Sequence, residues 1–284
     1  MSLTEKIKYL RRVNSEALSS VLSLENTHSE ASIAEAWLKA LQSNSDLYPF
    51  GWYDPPPNGI SVLIGNPGDF ERLRFKSLRE RKQWPRKDVH LSNDSLLYAY
   101  SSPIDRSSLL IGDICLTLYK GEDPRIQAHL RQAYEITYAI ANYTSVGMSL
   151  KELYLYASKT ISEAGLRNEV FSITDPCSFD IGHTIPWSYS KPSDAELNVV
   201  ASAGGAALKK ALSTQRVFLN SESTLPISET MAFTIEPRLS GANLPPVSFH
   251  VTVVFENGER SIIAGYDPLL TQFGMDVYLL LPAN

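Results

Sequence analysis

Between Leu109 and Leu118 the chain runs almost wholly apolar, interrupted chiefly by Asp113 and Thr117. Such a run predicts an interior strand over Leu109–Tyr119, covered by other layers. The flanking sequence offers both helices and strands for that cover. Residues 4–24 place Ile7, Leu10, Val13, Leu18, Val21 and Leu22 at helical spacing. A second helix is expected from the capping box Thr27-His28-Ser29-Glu30, with Ile33, Ala34, Trp37, Leu38 and Leu41 as its stripe. Ile60–Ile64 and Leu96–Tyr100 read as strands, and Arg125–Tyr143 as a helix. A further capping box, Ser149-Leu150-Lys151-Glu152, opens a helix that stops at Gly165.

The second half is richer in strands. Met231–Ile235, Val247–Phe255, Ser261–Ala264 and Val277–Leu281 alternate or run apolar, and Glu256-Asn257-Gly258 marks a tight hairpin turn. Ala195–Leu212 is expected to be helical despite Gly204-Gly205. Helices and strands occur in both halves, so the class is α+β. A single domain over 1–284 is expected, with halves of about 1–145 and 146–284 and with 58–95 as an insertion or a diverged hairpin.

Charge and cysteine usage narrow the function. A net charge of -5 argues against nucleic acid or an anionic membrane as the main partner, because such binding needs a basic face. The local exception, Arg72 to Lys87, reads as a solvated insert, with an anionic-ligand patch as the alternative. Cys115 and Cys177 form no CxxC or Cys/His cluster, which excludes a finger-type zinc site. With no signal peptide evident, they point to a reducing, cytoplasmic setting. No stretch approaches the roughly 20 apolar residues of a membrane span.

Two segments look like parts of a site. Asp180-Ile181-Gly182-His183 places a histidine after a glycine, and Phe233-Thr234-Ile235-Glu236-Pro237 sets a carboxylate in an apolar strand. His183 reads equally as a hydrogen-bonded core residue and as a ligand-contacting imidazole. Glu236 is costly to bury unless paired, with His183 or Arg238 as partner. Arg238 suits either a ligand carboxylate or the role of counter-ion to Glu236. Asp180 can orient His183 or cap its loop. His250 suits a solvent-facing strand position or the cavity.

Several strings together resemble the pita-bread family of methionine aminopeptidases, aminopeptidase P, prolidase and creatinase. They are the opening helix pair Glu5–Leu22 and Thr27–Leu41, then Leu110-Ile111-Gly112-Asp113-Ile114, Val146–Leu153, Asp180–Ile185 and Phe233–Pro237. The resemblance implies two α/β halves about a central antiparallel sheet. It also implies that His183 and Glu236 converge on one cleft. Its metallopeptidases hold two divalent ions on two aspartates, one histidine and two glutamates, with a bridging hydroxide as nucleophile.

The departures from that pattern carry the functional expectation. Leu118 stands at the first aspartate's position, the hairpin of the second is missing before Pro124, and Phe249 or His250 stands at the last glutamate's. Only His183 and Glu236 remain of the five, so no metal cofactor is expected, short of one weakly held ion should His250 join them. Tyr98 and Tyr100 fall near the family's upstream catalytic histidine. The expected protein is a metal-independent relative that binds a small molecule or peptide in the cleft, as a pseudoenzyme or a diverged metal-free enzyme. The alternatives are a creatinase-like C–N hydrolase using His183 and Glu236, and a metallo-aminopeptidase with displaced ligands. A homodimer is admissible.

Overall fold

The structure is a computed structural model that describes residues 1–24, 28–53, 56–201 and 205–280. In chain order the elements are α1 Leu3–Leu22, α2 Glu30–Gln42, β1 Leu47–Tyr48, β2 Ile60–Gly65, β3 Leu96–Ser101, β4 Ile104–Asp105 and β5 Ile114–Tyr119. Then follow α3 Pro124–Tyr143, α4 Leu150–Glu163, β6 Arg167–Asn168, α5 Asp194–Ala201 and α6 Gly205–Gln215. The last stretch is β7 Met231–Ile235, β8 Arg238–Ser240, β9 Val247–Ser248, β10 Val251–Glu256, β11 Glu259–Ile263, α7 Asp267–Gln272 and α8 Asp276–Leu279.

Each half contributes a three-stranded antiparallel sheet, ordered β2-β3-β5 in the first and β11-β10-β7 in the second. A bridge between Leu116 and Phe249 brings the two together, and α1 packs against β5, β10 and β11. One apolar cluster extends from Ile7 to Leu279, with fully buried Trp37, Phe233, Phe249 and Tyr266 among its members. The hairpin turn at Asn257-Gly258 has both residues at positive φ (54° and 82°), which matches the twist of the strands it joins.

The buried face of α1 is less apolar than its stripe suggests. Arg11, Asn14 and Ser15 lie on it, fully buried beside Ile7, Leu10 and Leu18. Arg11 donates through Nε to the carbonyl of Ala264 (2.8 Å) and through its terminal nitrogens to the carbonyls of Asp113 and His250 and the hydroxyl of Thr252. Asn14 Nδ2 donates to the carbonyls of Ser101 and Gly112. A fully buried guanidinium is tolerated because four acceptors from three segments surround it.

Several expectations are corrected. The apolar run that begins at Leu109 is not one strand, because a turn closed by Asp105 interrupts it. The Asp105 carboxylate accepts from the hydroxyls of Ser107 and Ser108 and from the Ser108 N–H, and Leu109 N–H donates to the Asp105 carbonyl. That turn puts Leu109 at φ 62° and delays β5 to Ile114. Leu109 and Ile111 join a smaller apolar cluster with Tyr48, Trp52, Ile104 and Trp187.

The second helix is capped at Ser29 with Ser32; the expected cap residue Thr27 lies outside the described residues. Residues 58–95 hold β2 and the long connection 66–95 to its antiparallel partner β3, and this connection is not simply solvated. Its Arg72 pairs at 2.5 Å with Glu30, whose side chain is fully buried. The Ala-rich segment is two helices, α5 and α6, and Gly204 lies outside the described residues. The stretch Val247–Phe255 is divided between β9 and β10. The expected last strand is the short helix α8, where Leu279 is buried and Val277 is exposed; Leu281 is outside the described residues.

Candidate functional site

Gly182 sits at φ 145°, and a Cβ there would come within 2.2 Å of the Thr234 carbonyl oxygen. Glycine therefore lets the segment 181–185 lie directly against β7. Glu236 N–H donates to the Ile181 carbonyl, Thr234 N–H to that of His183, and Ile185 N–H to that of Ala232. On its other side the segment bonds residues 217–219, through Thr184 N–H to the Val217 carbonyl and Leu219 N–H to that of Gly182. His183 is thus fixed between two stretches of extended chain. Its own N–H donates to Thr234 Oγ1 at 2.9 Å.

The imidazole of His183 meets two carboxylates. Nε2 lies 3.5 Å from Glu236 Oε1 and 3.6 Å from Asp113 Oδ2, and Nδ1 is 3.0 Å from the Thr184 carbonyl oxygen. A carbonyl only accepts, so Nδ1 carries a proton. A neutral ring would then turn the Nε2 lone pair toward the oxygens of two carboxyl groups. The arrangement favours a positive charge at that point, either a proton on Nε2 or a bound cation. Burial pushes the His183 pKa down, but Asp113 and Glu236 outweigh it and the net shift is upward. Burial raises Glu236, against the pull of His183, and Thr234 Oγ1 donates to Glu236 Oε1 at 3.2 Å.

These groups border a cavity of about 140 Å³. Its walls include Trp52, Phe75, Tyr98, Tyr100, Phe218 and Arg238, and Asp113, Asp180, His183, Arg216 and Glu236 supply its charge. Tyr98 and Tyr100 are both buried there. Tyr98 Oη accepts from the Cys115 thiol, and Tyr100 Oη donates to Ser102 Oγ. Burial raises the Cys115 pKa to about 12, so this thiol is no nucleophile near neutral pH. Asp180 caps its own loop, its Oδ1 accepting from Gly182 N–H at 3.0 Å. Its Oδ2 is buried without a hydrogen-bond partner, and burial, with Glu236 adding to it, raises its pKa to about 8.

Two expectations, those for Arg238 and His250, are overturned. Arg238 borders the cavity, but it donates to the carbonyls of Phe75 (2.5 Å) and Glu169 (2.7 Å) and stacks 3.9 Å from the Phe75 ring. Both bonds come from one terminal nitrogen, its Nε is buried without a partner, and it makes no ion pair with Glu236. His250 neither faces solvent nor borders the cavity. It is fully buried behind the site, with Nε2 3.4 Å from an Arg11 nitrogen. Burial and Arg11 hold its pKa well below the ordinary value. It is not among the donors that lie together with His183 and Glu236, so it is not the third member of a ligand set with them.

That third member is Asp113, which the sequence places only in the lead-in to β5. Asp113 is buried, and neither of its carboxylate oxygens has a hydrogen-bond partner. Among the described residues, Asp113, His183 and Glu236 are the one group of donors able to surround an ion, with ligand atoms within 4.8 Å of one another. Three donors do not fit the pair of ions that the resemblance implies. From β5 and β9 the cavity receives Cys115 and Ser248, where more carboxylates would be needed. One divalent cation is the most that this donor set can accept.

Arg216 is a further site residue that sequence reasoning misses, as it belongs to no motif. Its guanidinium carbon lies 4.0 Å from the Phe218 ring centroid and 4.3 Å from that of Trp52. Burial lowers its pKa to about 10, and the charges of Asp180 and Glu236 act in the opposite sense. The alternation of Arg216, Val217 and Phe218 along an extended segment was the available signal.

No protein-family model matches the chain, and no curated protein matches it. Its structure is similar to that of a methionine aminopeptidase from Rickettsia prowazekii, with TM-score 0.61 and 13% identity over 92% of this chain and 96% of that one. It is similar to an X-Pro aminopeptidase from Thermotoga maritima, with TM-score 0.58 and 14% identity over 91% of this chain. A prolidase from Pyrococcus furiosus gives TM-score 0.58 and 16% identity over 91% of this chain. The chain spans 60% of the length of that X-Pro aminopeptidase and 62% of that prolidase. Identities this low speak to architecture and not to activity. The chain has the pita-bread fold.

Proposed function

We propose that this protein binds a small organic molecule in the cavity beside His183 and does so without a dinuclear metal centre. The observation that carries the reading is the donor set: one imidazole and two carboxylates, where Cys115 and Ser248 bring no further carboxylate. A cavity of about 140 Å³ suits a compact group better than a long peptide. His183 and Glu236 give the site a proton that can move between Nε2 and Oε1 over 3.5 Å once a ligand adjusts the geometry. This supports acid–base work on a bound ligand as well as binding alone.

Elemental analysis of the purified protein after dialysis tests the reading. Fewer than two equivalents of Mn, Fe, Co or Zn per chain are expected, and two would refute it. A second reading, one divalent cation on Asp113, His183 and Glu236, is favoured by the unpartnered Asp113 oxygens. It is favoured too by the Nδ1 contact to Thr184, which aims Nε2 at the carboxylates. One tightly held equivalent, lost in Asp113→Asn, would establish that reading in place of the metal-free one.

A further inference from the structure

We propose that Arg216 binds the carboxylate of the cavity's ligand, and that this ligand is a small monocarboxylate with a compact apolar body. The inference rests on the reading of the cavity as a binding site and names the class of molecule it takes.

Arg216 is held ready for an anion and is not satisfied by the protein. Phe218 and Trp52 flank its guanidinium, and one terminal nitrogen donates to Thr174 Oγ1 at 3.0 Å. Its Nε is buried and meets no acceptor among the described residues. The ion pairs found among those residues do not include it, although Asp180 and Glu236 are near enough to act on its charge. Arg238 shares the buried, unpartnered Nε, but its terminal nitrogen is taken by two backbone carbonyls, whereas that of Arg216 meets one side-chain hydroxyl. A guanidinium fixed by flanking rings keeps its planar donor edge, which fits a carboxylate by two parallel hydrogen bonds.

The surroundings select the rest of the ligand. Trp52, Phe75, Tyr98, Tyr100 and Phe218 give the cavity aromatic walls. Its volume of about 140 Å³ is close to the ~150 Å³ that accepts a benzene ring. Asp113, Asp180 and Glu236 border the same space, so a dianion is disfavoured relative to a monoanion. Lys76, from the basic connection 66–95, also borders it and adds positive charge.

Calorimetric titration of the full chain with benzoate, benzamide and phenylphosphonate, near neutral pH, tests the assignment. Benzoate should bind about ten- to a hundredfold more tightly than benzamide, the range set by charged hydrogen bonds. Phenylphosphonate should bind more weakly than benzoate. Arg216→Gln should bring benzoate down to the level of benzamide and leave benzamide unchanged, and Arg216→Lys should fall between because it lacks the fork. Should Arg216→Gln fail to fold, the three probes on the unaltered protein still decide. Benzamide equal to benzoate removes Arg216 from the site and leaves the cavity reading standing. Tighter phenylphosphonate overturns the monocarboxylate class, and no binding by any probe overturns the cavity reading together with the inference.

Discussion

Replacing Asp180 by asparagine should make the protein less sensitive to rising pH. Asp180 is 3% exposed, its Oδ2 has no partner, and its pKa is raised from 3.8 to about 8. In the unfolded chain it ionises at about pH 4, so between those values the folded form holds a proton that the unfolded form has released. Folding stability from this group is therefore fully present below about pH 4 and is lost as pH rises toward 8. From pH 5 to 8 the loss is at most about 4 kcal/mol, three units at ~1.4 kcal/mol each. Part of the shift comes from Glu236, which ionises more readily once Asp180 is neutral, so about 2 kcal/mol should remain. The substituted amide would keep an acceptor for Gly182 N–H but bring an NH₂ group without a partner, a pH-independent loss of about 1 kcal/mol. Urea unfolding of Asp180→Asn and the unaltered protein at pH 5 and pH 9 measures this. The variant should gain about 2 kcal/mol relative to the parent between the two conditions. A difference that stays constant with pH would refute the buried, proton-holding carboxylate.

Gly182→Ala should destabilise the protein by roughly 3 kcal/mol or more in the same unfolding assay, because its Cβ would collide with the Thr234 carbonyl at 2.2 Å; a change under about 1 kcal/mol would show that the strand contact can yield. The His183 imidazole should titrate above its ordinary value of 6.5 when followed by NMR, and Glu236→Gln should move that midpoint down by removing one of its two carboxylates. An unshifted midpoint in the variant would separate the pair. Cys115 should resist alkylation in the folded protein and react after unfolding, since burial holds the thiol protonated; fast reaction in the native state would contradict its place behind Tyr98.

The helices were legible because their signals are local: Ser149 and Glu152 form the expected reciprocal cap, and Ile7, Leu10, Leu18 and Val21 of the α1 stripe are buried as their spacing implies. His183 and Glu236 were legible because each stands in a short motif, and the strand pairing across Gly182 brings them together. Asp113 was not, because its role depends on where β5 begins. The turn closed by Asp105 shifts that start, so Asp113, and not a later residue, reaches the histidine. Arg238 and His250 were misjudged for the opposite reason. Their sequence neighbourhoods are strand-like, but their partners, Phe75, Glu169 and Arg11, come from segments far away along the chain. Arg216 carried no motif, and its value as a site residue rests on two aromatic rings, of which Trp52 is remote in sequence.

The contacts of Arg11 bear on how the molecule is made. A helix near the start of the chain reaches the carbonyls of Asp113, His250 and Ala264. During synthesis this guanidinium stays without most of its acceptors until the segments that carry His250, Thr252 and Ala264 have left the ribosome. The first half emerges first, yet it exposes an unpaired charge on the face that should become core, which disfavours early consolidation of that half by itself. Assembly of the site is then coupled to arrival of the final hairpin. A nascent chain halted before residue 250 would hold Asp113 and His183 without the anchoring that aligns them.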